Sequence, residues 1–212
     1  MSAPIASRGM KWIVQISYPI ALRCSSMISY RSLRPTGVAK RKRWRMPMDT
    51  DPRAYALGPE EGETLWMHGT LATFKATAEQ TGGEYALIEH VAHGGVATSL
   101  HVQPESHESF YILEGELTFY LEDGQPVPAS AGSFVHIPKG TPHAFRVDSE
   151  TARFLDLTTP QHEYWMRAAG EPAQGRELPP AGPPDMETVE KIDAIGQEHG
   201  REVLGPHPGA QD

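Results

Sequence analysis

Cysteine is nearly absent from this chain of 212 residues, with Cys24 standing alone. No intramolecular disulfide can therefore staple the fold, and stability must come from a buried core, for which the chain is long enough. A lone thiol suits a reducing compartment, so a cytoplasmic location is expected. No apolar run reaches the roughly 18 residues that a membrane-spanning helix needs, so no membrane partner is expected. Acidic residues are missing altogether from Met1 to Pro47, which carries ten Lys/Arg. The remainder is the reverse, with nine basic residues against 27 acidic ones. So acidic a body disfavours nucleic acid as a partner. The basic arm is densest at Lys40-Arg-Lys-Arg43-Trp-Arg45. It reads as a disordered or non-native stretch upstream of a start at Met46 or Met48, as an Arg- and Ser-rich targeting segment, or as an arm for polyanions. Residues 1–47 are set apart from the fold on this ground. Internal repeats are lacking too, which points to one barrel and not two.

What is present from Asp51 onward is a series of short apolar runs cut by turns. The runs are Leu71–Ala78, Tyr85–Val91, Thr98–Val102, Ser109–Leu113, Leu117–Leu121, Gly132–Ile137, Ala144–Asp148 and Arg153–Thr158. Between them lie Gln103-Pro, Glu114-Gly, Glu122-Asp-Gly124 and Pro138-Lys-Gly140. Short strands with frequent turn signals predict an all-β sandwich or barrel over residues 51–160. Glu122-Asp-Gly124 predicts a hairpin. After Pro160 the pattern turns helical, with Tyr164, Trp165 and Ala168 on one face. A Pro-rich linker follows, from Pro172 to Pro184. A second helix is expected after an N-cap at Asp185, with Met186, Val189, Ile192 and Ile195 as its apolar face and Gly196 or Gly200 closing it. The last residues, Gly205 to Asp212, are expected to be loose. Residues 161–212 thus read as a C-terminal helical tail.

Chemistry concentrates in two stretches, Ser99-Leu-His101-Val-Gln103-Pro-Glu-Ser-His-Glu108 and Pro138-Lys-Gly140-Thr-Pro-His143. Period-two alternation makes His101 and Gln103 neighbours on one face, while Glu108 begins the next strand and His143 heads a later one. Two imidazoles and one carboxylate are the minimum set for an open-site transition-metal centre. The same residues also suit a metal-free barrel with hydrogen-bonded histidines. His107 adjoins Glu108 and is expected on the opposite face, Tyr111 likewise. His90, His93 and His136 read as core or solvated histidines. Trp66 and His68 read equally as contacts for a ligand or for a partner chain.

The spacing Gly95-x5-His101-x-Gln103-x4-Glu108-x6-Gly115, followed by Gly132-x5-Pro138-x-Gly140-x2-His143, resembles the two motifs of the cupin superfamily. The resemblance covers about residues 60–160. It departs from the pattern at Gln103, where a histidine is usual, and at Val147, where an asparagine is usual. Within the superfamily, Phe110–Glu116, Phe134–Phe145 and Leu157–Pro160 are similar to bacterial monocupins of the quercetin 2,3-dioxygenase type. The resemblance implies a single jelly-roll barrel, commonly a homodimer. It also implies one divalent transition metal (Fe, Ni, Cu, Mn, Co or Zn) held by His101, Glu108 and His143, with Gln103 at the fourth position.

Gln103 admits three readings. It is a weak oxygen ligand, or it hydrogen-bonds a metal-bound molecule, or it marks a barrel that has lost its metal. With a metal, the resemblance implies a dioxygenase that takes dioxygen and a small aromatic or enolic substrate. Glu108 would then serve as both ligand and general base. Phe110, Ile112, Phe119, Phe134 and Phe145 are candidate pocket walls or ordinary barrel core. Without a metal, the expectation is a cupin that binds a small molecule or guides an isomerisation or cyclisation. A third class, a barrel that serves only dimer contacts, sits poorly with three polar side chains that would be costly to bury without a role.

Overall fold

Alternation with period two is the rule that builds this molecule, and β3 shows it cleanly. Along Ala86–His93 every second residue is buried, from Ala86 through Ile88 and His90 to Ala92. The structure is a computed structural model that describes residues 53–122, 125–182 and 186–209. The basic extension with Cys24, Asp123-Gly124 of the expected hairpin turn, the Asp185 cap, and the last three residues lie outside the described residues.

The remaining strands are β1 (Glu63–Met67), β2 (Thr70–Ala76), β4 (Leu100–Val102), β5 (Glu108–Glu114), β6 (Glu116–Leu121), β7 (Gln125–Ser130), β8 (Phe134–Ile137), β9 (His143–Val147), β10 (Thr151–Thr158), β11 (Glu171–Pro172) and β12 (Glu202–Gly205). Two helices, α1 (Pro160–Ala169) and α2 (Met186–Glu198), complete the order. The strands form two antiparallel sheets. One runs β11-β1-β2-β3-β10-β5-β8 and the other β12-β4-β9-β6-β7. The fold is an all-β jelly roll with short C-terminal helices, as the strand spacing predicts.

Local chemistry explains the turns. Gly115, between β5 and β6, has φ +82°, and a Cβ there would lie 2.5 Å from the Thr151 carbonyl oxygen. Only glycine suits both demands. Pro126 and Pro128 fall on β7, which lies at a sheet edge, where a missing N–H disrupts no central ladder.

One core fills the barrel with Phe110, Ile112, Leu117, Phe119, Val135, Val147 and Phe154. A second joins Leu65, Met67, Phe74 and Ile88 to Trp165, Met166 and Ile192 of the helices. Helix α1 begins with Pro160 in its first turn, a position that needs no N–H donor. Its buried face is His162, Glu163, Trp165 and Met166; of the expected Tyr164, Trp165 and Ala168, Trp165 is on it and the other two are not. The reason is that polar side chains find partners inside. Glu163 accepts the Ala78 N–H at 2.6 Å and pairs with Arg167 at 2.8 Å.

Gly200, at φ +80°, closes α2, whereas Gly196 lies within it and against Trp165. The chain after α2 is not loose at Gly205. Strand β12 pairs with β4, opposing Val203 to His101, and the His207 ring packs on Tyr120 at 4.8 Å.

Candidate metal centre

His101 on β4 and His143 on β9 are register partners in the smaller sheet, with ring centroids 4.2 Å apart. Glu108 opens β5 of the larger sheet and faces them across the barrel. One ligand atom of each lies within 4.8 Å of the others, and all three side chains are buried. Each histidine is held in the same way. Nδ1 of His101 faces the Ser99 carbonyl at 2.8 Å, and Nδ1 of His143 faces the Thr141 carbonyl at 2.9 Å. A carbonyl only accepts, so both Nδ1 atoms carry the proton and turn Nε2 toward Glu108.

His143 Nε2 stands 2.8 Å from Glu108 Oε2 yet has no aligned hydrogen bond. A buried nitrogen and a carboxylate oxygen this close need a proton or a cation between them. Burial alone would raise the Glu108 pKa, but the imidazoles of His162 and His143 outweigh it and hold the carboxylate ionised. Burial works against a charged His143, and Glu108 overcomes it and raises its pKa. His101 is pushed well below its usual range by burial, then by Arg201 and His143. A neutral imidazole, an anionic carboxylate and a second imidazole sharing one proton form a donor set that fits a divalent transition metal.

Gln103 is buried beside them. Its amide N–H donates to Glu108 Oε2 at 2.6 Å, and its oxygen accepts from His162 Nδ1 at 2.9 Å. The oxygen that is the candidate ligand thus already accepts one hydrogen bond, from His162. The His162 Nε2 then faces Glu108 Oε1 at 3.6 Å and Asp156 Oδ2 at 3.5 Å. Burial, then Glu108, push the Asp156 pKa well up, which favours its protonated form. His162 and Asp156 are absent from the expected set. His162 lies in a helix far along the chain, and its only signal was a histidine in a first turn. Asp156 had the stronger one, an acid at an inward position of an apolar strand.

The cavity around these groups measures about 50 Å³. That is room for roughly four water molecules, well below the several hundred Å³ of a drug-sized site. Phe110 and Phe145 line it. The other three expected walls do not. Ile112 and Phe119 are locked in the barrel core, and Phe134 is 64% exposed. Phe134 points outward because its strand turns Val135 and Ile137 inward. His68 and His90 join the lining, with His90 stacked on Phe154 at 5.0 Å. His136 is on the outer face, bonded to Ser109 at 2.9 Å, with His107 near it. Tyr111 is exposed. Trp66 is tied to the Glu177 carbonyl at 2.9 Å, and His93 to that of Pro179 at 3.2 Å. A second hollow of about 440 Å³ runs along Gly94–Ala97 and Pro180–Gly182 and shares His68 with the first.

A family profile described as a cupin domain matches residues 87–158, which contain His101, Gln103, Glu108 and His143. That stretch of the chain is similar to a cupin domain. Quercetin 2,3-dioxygenase of Bacillus subtilis (strain 168) is 29% identical over 126 residues, which is 59% of this chain and 37% of that protein. The chain thus spans little more than a third of that relative's length. Among solved structures, KdgF from Halomonas sp. aligns with a TM-score of 0.44 and 16% identity, over 51% of this chain and 94% of that one. Pac13 of Streptomyces, described as a nucleoside dehydratase, aligns at 0.42 and 19%, over 51% and 83%. A predicted oxalate decarboxylase from Thermotoga maritima aligns at 0.40 and 22%, over 42% and 79%. None of these three bears on activity. Among the described residues no helix is long and apolar enough to cross a membrane.

Proposed function

We propose that this cupin is a metal-dependent enzyme of the dioxygenase class, acting on a small enolic substrate. His101, Glu108 and His143 would hold the ion, and the reading rests on one observation. Both histidines spend their Nδ1 protons on backbone carbonyls, so both Nε2 atoms are left to converge on a buried carboxylate. A divalent ion held there would supply Lewis acidity to an enol or enolate oxygen. The protein's own residues do the rest. Glu108, kept ionised, accepts the substrate proton. Gln103 orients Glu108 by donating to Oε2 and ties it to His162. Phe110, Phe145 and Phe154 keep the walls apolar, which limits competing water. The test is metal analysis of wild type beside His143→Ala, followed by oxygen uptake with enolic substrates. About one equivalent of a transition metal, lost in the variant, supports the reading. Wild type that stays empty after reconstitution sinks it.

The Glu108–Gln103–His162 chain, with Asp156 beside His162 and its pKa raised, favours a second reading. It pairs a base with an acid, which is what a proton-transferring isomerase or cyclase needs and which requires no dioxygen. Solvent deuterium incorporation into substrate under nitrogen would favour it over oxygen insertion.

A further inference from the structure

Arg201 is the largest fully buried side chain among the described residues, at 1% exposure, and it lines the metal-site cavity. A guanidinium inside a protein is normally hydrogen-bonded throughout, because each unpaired buried donor is costly. Here Nη1 pairs with Asp193 at 2.9 Å and Nη2 donates to the Ser99 hydroxyl at 3.1 Å. The Nε–H has no partner. Two more nitrogens on side chains of the same cavity wall lack partners, the indole N–H of Trp165 and Nε2 of His68. The Arg201 guanidinium lies 5.1 Å from the Trp165 ring, and the Trp165 ring 6.0 Å from that of His68, so the three are grouped. His68 also holds a left-handed backbone at φ 50°, an uncommon conformation for a non-glycine residue. A wall that gathers a buried cation and unfilled nitrogens is built for an acceptor that carries negative charge.

The rest of the cavity narrows the choice. Ser99 links the two sides, its hydroxyl accepting a hydrogen bond from Arg201 Nη2 and its carbonyl accepting one from His101 Nδ1. The space is about 50 Å³, too little for a flavonol and suited to a molecule of a few heavy atoms. We propose that Arg201 anchors the carboxylate of a small 2-oxo acid, placing the enolisable carbon on the far side of the keto group beside Glu108. The inference deepens the enzymatic reading above and rests on it for the choice of a 2-oxo acid over other small carboxylates. Arg201 is a binding residue here, since it holds the end of the substrate that does not react.

The test titrates the full-length protein calorimetrically with pyruvate and with its neutral ester, methyl pyruvate, and measures metal content on the same samples. Wild type is expected to bind the acid at least tenfold more tightly than the ester. Arg201→Gln should abolish that preference without changing metal content. Arg201→Lys, which keeps the charge and loses the Nε–H, should weaken pyruvate at least threefold. Equal affinity of wild type for acid and ester overturns the proposal, as does a preserved preference in folded Arg201→Gln. If Arg201→Gln does not fold, unchanged pyruvate affinity in Arg201→Lys overturns it. A metal-free wild type that still prefers the acid would sink the metal-dependent reading and leave the anion anchor standing. A metal-loaded protein with no such preference would do the opposite.

Discussion

The two ends of the barrel interior are made from the same strands and do opposite work. On β5 the inward residues run from Glu108 through Phe110 to Ile112. On β10 they run from Ala152 and Phe154 to Asp156 and Thr158. One end is a closed apolar core around Phe119, Ile112 and Leu117. The other holds two carboxylates, several histidines and an arginine in the wall of one cavity. Alternation decides only that a side chain points inward, so the backbone treats Ile112 and Glu108 alike. What differs is the partner each requires. Ile112 needs only close packing, whereas Glu108 needs Gln103, His143 and His162 to stay charged in a dry site.

The contrast can be broken by substitution, beginning at the apolar end. Phe119→Ala should cost about 3–5 kcal/mol, read as a lower urea midpoint, because the rigid core cannot close over the hole. A cost under 1 kcal/mol would mean that this end is not the stability centre.

Next comes His90, buried between the two regions, where burial and then His162 lower its pKa to about 3. The unfolded chain takes up that proton near pH 6.5 and the folded one does not. Stability should therefore be full above pH 6.5 and fall as the pH drops toward 3, by a few kcal/mol at most. His90→Phe should flatten the dependence of Tm on pH, and an unchanged slope would place the acid sensitivity elsewhere.

Gln103→Ala should lower metal affinity about 10- to 100-fold, measured by competition with a chelator, because Glu108 loses the donor that orients it. Equal affinity would make Gln103 a mere packing group. The smallest effect should come from Phe134→Ser, under about 0.5 kcal/mol in thermal stability, since the ring is largely in solvent. A larger and concentration-dependent loss would show that a second copy covers the outer face, where Phe134 opposes Tyr111.

Much of the fold was legible because strand signals are local. The runs at Ser109–Leu113, Leu117–Leu121 and Arg153–Thr158 carry their own periodicity and their own turns, and each falls within a strand. Strand β12 was not legible, because its four residues gain meaning only by pairing with β4. The buried face of α1 was legible only at Trp165, for a similar reason. Helical spacing marks apolar residues, but His162 and Glu163 are buried through bonds to Gln103 and to the Ala78 N–H.

The sequence by itself determined the chain of short strands, the glycines that turn them, and the order in which His101, Gln103, Glu108 and His143 occur. Those depend on backbone preference and period-two alternation, which act over a few residues. Only the tertiary structure decided that the Gln103 amide bridges Glu108 and His162, that Asp156 sits beside the same site, and that Arg201 crosses from beyond α2 into the cavity wall. Those contacts join residues as much as 102 positions apart, as between Ser99 and Arg201. Their strength comes from shared burial, which no local stretch of sequence encodes.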